Sequence, residues 1–392
     1  MNGIVFVKES GGIVRSIAGE DHISGFVAYI ADAQLPAGFT TADRIKEIGT
    51  IESAEALGIV STSENWLVKV LHYHISKAFS INPNASIFLG LFTTPVTTYD
   101  FTELKTVQNY AEGRIRQAAI YAPDKEFAAG DITAIKAVCT TLESEHMPLS
   151  VLYAATIANV TGIETIAATG QKRVSLVVGQ DGSDLGSQLY EASAAGEDPK
   201  KSVTEVGLAL GAVSLAAVNE SIGWIEKFPA GINTPALCDG TLIKEMDQAT
   251  LTTLDGKRVL FLRKHGGIAG SYFNDSHNLD LATYDEAYIE NVRTMDKATR
   301  GMRTYLLPKL SSPLTVDTAT GLLDSLTVSN LELIAKKALE DMEKSAELSG
   351  YSCEIDNTTN VLETGEVVFV VKKVDIGVAR NFKVKISNVT NI

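Results

Sequence analysis

The loop from Gly179 to Gly186 comes closer to a ligand-binding pattern than any other part of the sequence. It follows an apolar strand and opens a predicted helix, and ligands often bind at such strand ends in α/β sheets. However, the loop lacks GxGxxG spacing and a P-loop lysine, and Asp181 and Asp184 would repel a phosphate. We interpret it as an ordinary connection, with an α/β enzyme acting near Asp181 as the alternative.

The histidine and acidic segments do not match known catalytic or metal-binding spacings. His72 and His74 lie two positions apart on a predicted helix, so their rings point about 200° apart and cannot share a metal. The His265-Gly-Gly sequence resembles an oxyanion loop, but the chain has no G-x-S-x-G nucleophile turn. The loop with Asn274-Asp275 and Asp280 lacks the alternating oxygen ligands and closing glutamate of a calcium loop.

Three cysteines, Cys139, Cys238 and Cys353, are widely separated and form no CxxC pair. This arrangement predicts reduced, buried thiols. No pair of carboxylates suggests general acid–base chemistry. The sequence therefore predicts a protein that is not an enzyme, with no catalytic residue, no metal ligand and no cofactor.

The charge and hydropathy of the chain argue against some classes of binding partner. The chain has 392 residues, 45% of them hydrophobic, and a formal net charge of −14. This acidity argues against binding a nucleic acid backbone or an anionic membrane. The longest stretch of low polarity, Val206 to Val218, is about 13 residues, shorter than the ~20 of a membrane span. The N-terminus lacks the basic and apolar regions of a signal peptide, so we expect assembly in the bacterial cytoplasm.

The middle of the chain has the pattern of an α/β fold. Apolar strands are predicted at Gly25–Ile30, Ala85–Phe92, Gln117–Tyr121, Leu149–Ala155 and Val174–Gly179. Helices are predicted at Thr41–Gly49, Asn65–Phe79, Asp131–Glu145, Ser183–Ala194 and Ser202–Asn219, with Asp131 as an N-cap. Buried strands alternating with helices indicate a mostly parallel sheet covered on both faces.

Two long helices follow, one from about Tyr284 to Leu307 and one from about Ser329 to Leu348, with Gly350 as its stop. The first has an apolar stripe, predicted to be its buried face: Tyr288, Val292, Met295, Thr299, Met302 and Leu306. Opposite the stripe lie four cations: Arg293, Lys297, Arg300 and Arg303. They form either a solvated face or a contact with an acidic tube or neighbouring subunit.

Both ends of the chain carry strand-forming residues beside glycines. The N-terminal run is Ile4, Val5, Phe6 and Val7, followed by Gly11-Gly12. Near the C-terminus, Phe382, Val384 and Ile386 alternate with lysines, which predicts a strand with one face to bury. Such arms pair either within one chain or, by strand addition, with another subunit.

The segment from Leu260 to Leu310 resembles the contractile tail sheath family of phage tails, R-type pyocins and type VI secretion systems. The resemblance rests on these sequences in order: Gly270-Ser-Tyr-Phe-Asn-Asp275, Tyr284-Asp285, Ile289-Glu-Asn-Val-Arg293, Asp296-Lys-Ala298, Arg300 and Tyr305-Leu-Leu-Pro-Lys-Leu310. It implies an α/β (α+β overall) architecture with an outer α/β domain inserted into an inner domain of helices and β-arms. The expected boundaries are 1–20 for the N-terminal arm, 21–235 for the outer domain, 236–365 for the inner domain and 366–392 for the C-terminal arm.

The same resemblance implies self-assembly into stacked hexameric rings around an inner tail tube protein, with baseplate and terminator proteins as further partners. It implies no nucleic acid partner and no direct membrane contact, and a place in a virion tail or a cytoplasmic contractile particle. A baseplate or tube protein is the second alternative, besides the enzyme.

Overall fold

The computed structural model describes residues 20–166, 171–193, 200–358 and 360–388. Its strands are β1 (Ile23–Tyr29), β2 (Ile45–Ile48), β3 (Ser86–Phe92), β4 (Gln117–Glu126), β5 (Ser150–Thr156), β6 (Val174–Leu176), β7 (Gly179–Asp181), β8 (Pro235–Leu237), β9 (Leu262–Arg263), β10 (Tyr272–Phe273), β11 (Leu348–Ile355) and β12 (Phe369–Asp375). Its α-helices are α1 (Ile51–Ala56), α2 (Trp66–Ile81), α3 (Glu103–Tyr110), α4 (Ala129–Ser144), α5 (Leu185–Glu191), α6 (Val206–Leu215), α7 (Gln248–Gly256), α8 (Ile289–Leu306), α9 (Ser325–Lys344) and α10 (Val361–Thr364).

A six-stranded sheet in the order β2-β3-β1-β4-β5-β6 forms the centre of the fold. All neighbours are parallel except the edge strand β2, which runs antiparallel to β3. Strand β1 is buried along its whole length, as expected for a parallel sheet covered on both faces. Helices α2 and α6 pack on one face, and α3 and α4 pack on the other. The predicted α/β class is confirmed.

Helices α2 and α6 approach each other closely because α6 carries glycines where they meet. A Cβ atom at Gly207 would lie 2.3 Å from the carbonyl oxygen of His74, and one at Gly211 would lie 2.6 Å from that of Ala78. Larger residues at either position would push the two backbones apart. The low polarity of Val206–Leu215 is therefore that of a buried helix, and no helix among the described residues is long and apolar enough to cross a bilayer.

A third, smaller hydrophobic cluster joins α8, α9 and β11, with Ala298, Leu339 and Leu348 among its members. Residues from 236 to 289, in contrast, contribute Leu260, Leu262 and Ile289 to the core of the sheet. The boundary between the outer and inner domains at residue 235 stays a prediction. The core contacts show that residues 236–289 pack against the sheet.

Three local predictions are wrong. The predicted helix Thr41–Gly49 contains strand β2, which pairs with β3 and buries Ile45 and Ile48 in the hydrophobic clusters on the two faces of the sheet. Asp131 lies in the first turn of α4 and is not its N-cap, although its carboxylate accepts a bond from the Ala128 amide. Helix α9 ends at Lys344, so Gly350 lies in β11 and does not stop the helix.

Helix α8 begins later than predicted and buries a different face. Tyr288 has extended backbone angles, so the helix starts at Ile289. Of the predicted stripe, Val292 is buried, but Met295 is 39% exposed and Thr299 is also exposed. The buried face includes Arg293 and Asp296 because both find partners inside the fold.

Candidate assembly surfaces

The loop with Asp181 uses its own carboxylate to hold its backbone. Asp181 is fully buried, and its side chain accepts hydrogen bonds from the amides of Ser183, Asp184 and Gly186. These bonds satisfy free amides where α5 begins. The carboxylate is therefore committed to shaping the loop, which is the ordinary connection that the sequence indicates.

The two helical histidines have separate surroundings. His74 is fully buried, and its ring centroid lies 4.6 Å from that of Tyr121 and 5.8 Å from that of Phe26. Burial lowers the pKa of His74 to about 3, so it is neutral at pH 7. His72 instead lies 2.9 Å from a carboxylate oxygen of Glu55. Within the described residues, no three His, Cys, Asp or Glu side chains are grouped as metal ligands.

The four cations predicted to share one face of α8 have different environments. Arg293 is only 4% exposed and donates to the carbonyl oxygens of Ala216, at 3.1 Å, and Ala217, at 3.3 Å. Ala216 is the C-cap of α6 and Ala217 follows it, and positive charge is favourable at the end of a helix. The interpretation of Arg293 as a solvated or neighbour-facing cation is therefore wrong, since its guanidinium lies inside the fold.

Lys297 and Arg300 form a charged network with residues from distant parts of the chain. The Lys297 ammonium lies 2.8 Å from Asp21 and 2.5 Å from Glu347, and Arg300 lies 3.4 Å from Asp21. Burial opposes ionisation of Asp21, but Lys297, Arg293 and Arg300 together hold the pKa of that carboxyl below its ordinary value. Burial lowers the pKa of Arg300 to about 10, and repulsion from Arg116 adds to this effect. This network joins α8 to the start of β1 and to the turn before β11.

A cleft of about 590 Å³ opens beside this network. Its lining includes Arg116, Arg300, Arg303, Asp341 and Glu347. Arg303 is exposed, one turn beyond the ion-paired Lys297 and Arg300. Of the four predicted cations, Arg303 therefore presents its charge most openly.

Strands β11 and β12 form a separate antiparallel sheet, paired from Leu348 opposite Asp375 to Ile355 opposite Phe369. Within the described chain this sheet has two strands, so each strand has one edge without a neighbour. Val370 is 45% exposed and Val374 is 61% exposed. An open edge beside exposed β-branched residues is a template for strand addition.

Residues 381–388 lie away from the body. Every described residue from 381 to 388 is exposed, and none belongs to a strand or helix. Phe382, Val384 and Ile386 are 85%, 76% and 88% exposed. The predicted N-terminal counterpart, Ile4 to Val7, lies outside the described residues.

Comparison with known proteins agrees with this architecture. Residues 16–277 match the family model described as DUF2586, N-terminal domain, and residues 285–392 match DUF2586, C-terminal domain. No curated protein matches.

Two solved structures share the fold over essentially the whole chain. One is a chain of the anti-feeding prophage (AFP) baseplate, six-fold symmetrised, with a TM-score of 0.63, 14% identity and coverage of 99% of each chain. The other belongs to an extracellular contractile injection system, the PVC sheath complex in the contracted state. It also has a TM-score of 0.63, with 11% identity and coverage of 100% of this chain and 98% of that one. The two family matches cover nearly all of the sequence, and this chain belongs to the DUF2586 family.

Proposed function

We propose that this chain is a structural subunit of a contractile tail sheath, which polymerises around a tail tube and contracts to drive that tube through a target envelope. The observation that carries the proposal is the exposed, alternating segment 381–388 on a body that also presents an open two-stranded sheet. The likeness to a contractile injection system sheath over the whole chain supports it.

The energetics favour pairing of this segment with a second copy. Burying Phe382, Val384 or Ile386 would contribute roughly 1.5–3 kcal/mol for each side chain. Each added backbone hydrogen bond contributes about 0.5–1.5 kcal/mol. In the single chain these side chains are exposed, so this stabilisation becomes available when a neighbouring sheet accepts the segment as a strand. Residues 4–7 are the proposed second arm.

In this proposal the chain assembles with copies of itself into stacked hexameric rings. Its other partners are an inner tube protein, and baseplate and terminator proteins at the ends. The particle would form in the bacterial cytoplasm, as a free contractile particle or as a virion tail. Arg303 at the open cleft is its candidate contact with an acidic tube or neighbour, with Lys297 and Arg300 behind it. No catalytic step is assigned to the chain.

A baseplate subunit is the second candidate, because one of the two structural neighbours comes from a baseplate. A baseplate subunit would form closed plates or rings of fixed size, whereas a sheath subunit would form tubes of variable length. A small-molecule enzyme would give small particles.

Electron microscopy of the purified chain, alone and with its tube protein, tests the proposal. We expect tubes from the intact chain, and folded subunits without tubes from a chain that ends at Arg380 or lacks residues 1–12. The matched control is the intact chain with Lys383→Gln and Lys385→Gln, which keeps the apolar face of the segment. Normal tubes from both truncated chains would refute the arm mechanism, and closed plates from the intact chain would favour the baseplate.

A further inference from the structure

Arg380 is the last side chain of the C-terminal segment that contacts the body before the exposed residues 381–388. Its guanidinium Nε lies 2.8 Å from Asp275 Oδ2, and its Nη2 donates to Glu290 Oε1. The same group lies over an aromatic ring, with its carbon Cζ 3.4 Å from the ring centroid of Tyr288. Two carboxylates and a ring face thus engage one arginine.

The socket that receives Arg380 is built into the core of the fold. Glu290 is 2% exposed, and its second carboxylate oxygen accepts from the Ser276 hydroxyl. Ser221 donates to the Ser276 hydroxyl oxygen at 3.0 Å. On its own, a buried carboxylate such as Glu290 is costly, and Arg380 supplies the cation that it needs.

The socket residues that contact Arg380 belong to the segment from Leu260 to Leu310, which carries the sequence resemblance described above. Asp275 ends the aromatic-Asn-Asp turn, and Glu290 lies in the first turn of α8. Tyr288 directly precedes that helix. These residues are far apart from Arg380 in sequence but meet at one point, where the C-terminal segment leaves the body.

We propose that Arg380 anchors the C-terminal segment and thereby sets the position from which residues 381–388 reach a neighbouring copy. The positioning role rests on the proposed function, whereas the anchor itself is a property of the single chain. A fixed root shortens the part of the segment that extends from the body. A shorter extension raises the effective concentration of the strand at a nearby sheet edge.

Digestion of the unassembled chain with trypsin tests whether Arg380 is anchored. Arg380, Lys383 and Lys385 lie within six residues, but the Arg380 side chain is engaged with Asp275 and Glu290 and cannot enter the specificity pocket of the protease. We expect cleavage after Arg380 to be at least about tenfold slower than cleavage after Lys383, measured as initial rates by intact mass. Equal rates in the native chain would overturn the anchor.

Two variants test whether the contacts of the Arg380 side chain, and not a general inaccessibility of this part of the chain, slow the cleavage at position 380. Arg380→Lys keeps a tryptic site but loses the planar fork and the ring stacking, so cleavage at 380 should accelerate several-fold. Asp275→Asn should have a similar effect, and Asp285→Asn, at an exposed carboxylate, is the matched control. Unchanged protection in both Arg380→Lys and Asp275→Asn would overturn the assignment.

Assembly tests the positioning role. If the native chain forms tubes, Arg380→Ala should raise the concentration needed for half-maximal polymerisation by at least about threefold. An unchanged threshold would overturn the positioning role. Failure of the native chain to polymerise would overturn the proposed function together with this role, and the tryptic pattern would still decide the anchor.

Discussion

Arg173 and Asp296 form a bidentate ion pair in the interior, with Nη1 2.6 Å from Oδ2 and Nη2 2.8 Å from Oδ1. The side chains are 4% and 6% exposed. Arg173 directly precedes β6, whereas Asp296 lies in the middle of α8. The pair therefore ties the central sheet to the helix that carries the charged cleft.

Breaking this pair should strongly destabilise the chain. Asp296→Asn removes the main counter-charge of the buried Arg173 guanidinium and leaves Glu143, 2.9 Å from Nη2, as its remaining carboxylate, so the loss should be up to about 3–5 kcal/mol. Urea unfolding of the purified subunit measures the loss. The exposed pair of Glu340 and Lys344 provides the control, and Lys344→Ala should leave the unfolding midpoint unchanged. A similarly small effect of Asp296→Asn would show that the pair is not a structural link.

The Arg173–Asp296 pair also shows where sequence patterns fail. Hydrophobic periodicity predicts that Met295 and Thr299 lie on the buried face of α8 and that Arg293 lies opposite them. In the structure Asp296 is buried because it pairs with Arg173, which is 123 positions away. No local pattern contains that information, so the sequence predicts the end of α8 to within one residue but neither its start nor its buried face.

The parallel sheet was predictable for the opposite reason. Strands such as Gly25–Ile30 and Val151–Ala155 are continuously apolar, and that property is local. Edge strand β2 was missed because Lys46 and Glu47 dilute its apolar content, and its pairing with β3 decides its conformation. Of the assembly surfaces, the alternation of Phe382, Val384 and Ile386 is visible in the sequence, whereas the socket of Arg380 depends on tertiary contacts.

Glu205 should make stability fall as pH rises towards 8. Burial raises the pKa of Glu205 to about 8, with its Oε1 accepting from the Tyr73 hydroxyl. Between its unfolded pKa near 4.5 and its folded pKa, the native state binds one proton more than the unfolded state. The free energy of unfolding therefore falls by up to about 1.4 kcal/mol per pH unit in that range.

His74 changes the free energy of unfolding with pH in the opposite direction, and it does so over a lower pH range. Its pKa of about 3 in the folded state lies below its ordinary 6.5, so the unfolded state binds more protons and stability rises with pH between these values. The two effects oppose each other from about pH 4.5 to 6.5, and the Glu205 effect continues without that of His74 from about pH 6.5 to 8. Denaturant unfolding in that interval should show a steeper fall for the native chain than for Glu205→Gln. Parallel slopes would contradict the prediction.

The close approach of α2 and α6 should make Gly207 intolerant of a side chain. In Gly207→Ala the new methyl group would meet the backbone of His74, and the helices must separate at a cost of about 1–3 kcal/mol or more. Gly130 in α4 is the matched control, because a Cβ there has no atom within 4 Å. Gly130→Ala should stabilise by about 0.5–1 kcal/mol. Thermal unfolding of the two variants gives shifts of opposite sign if this packing is correct.

Charge reversal at the cleft should weaken assembly in a salt-dependent way. Arg303 is exposed, so Arg303→Glu leaves the buried ion pair of Arg173 and the buried hydrogen bonds of Arg293 intact, and the subunit should stay folded. If an acidic tube or neighbour meets this cleft, the concentration needed for polymerisation should rise. The difference should shrink as ionic strength increases, because the Debye length falls from about 10 Å at 0.1 M to about 3 Å at 1 M. Lys264→Glu, at another exposed cation, is the control, and equal thresholds for both variants at low salt would remove the cleft from the assembly contacts.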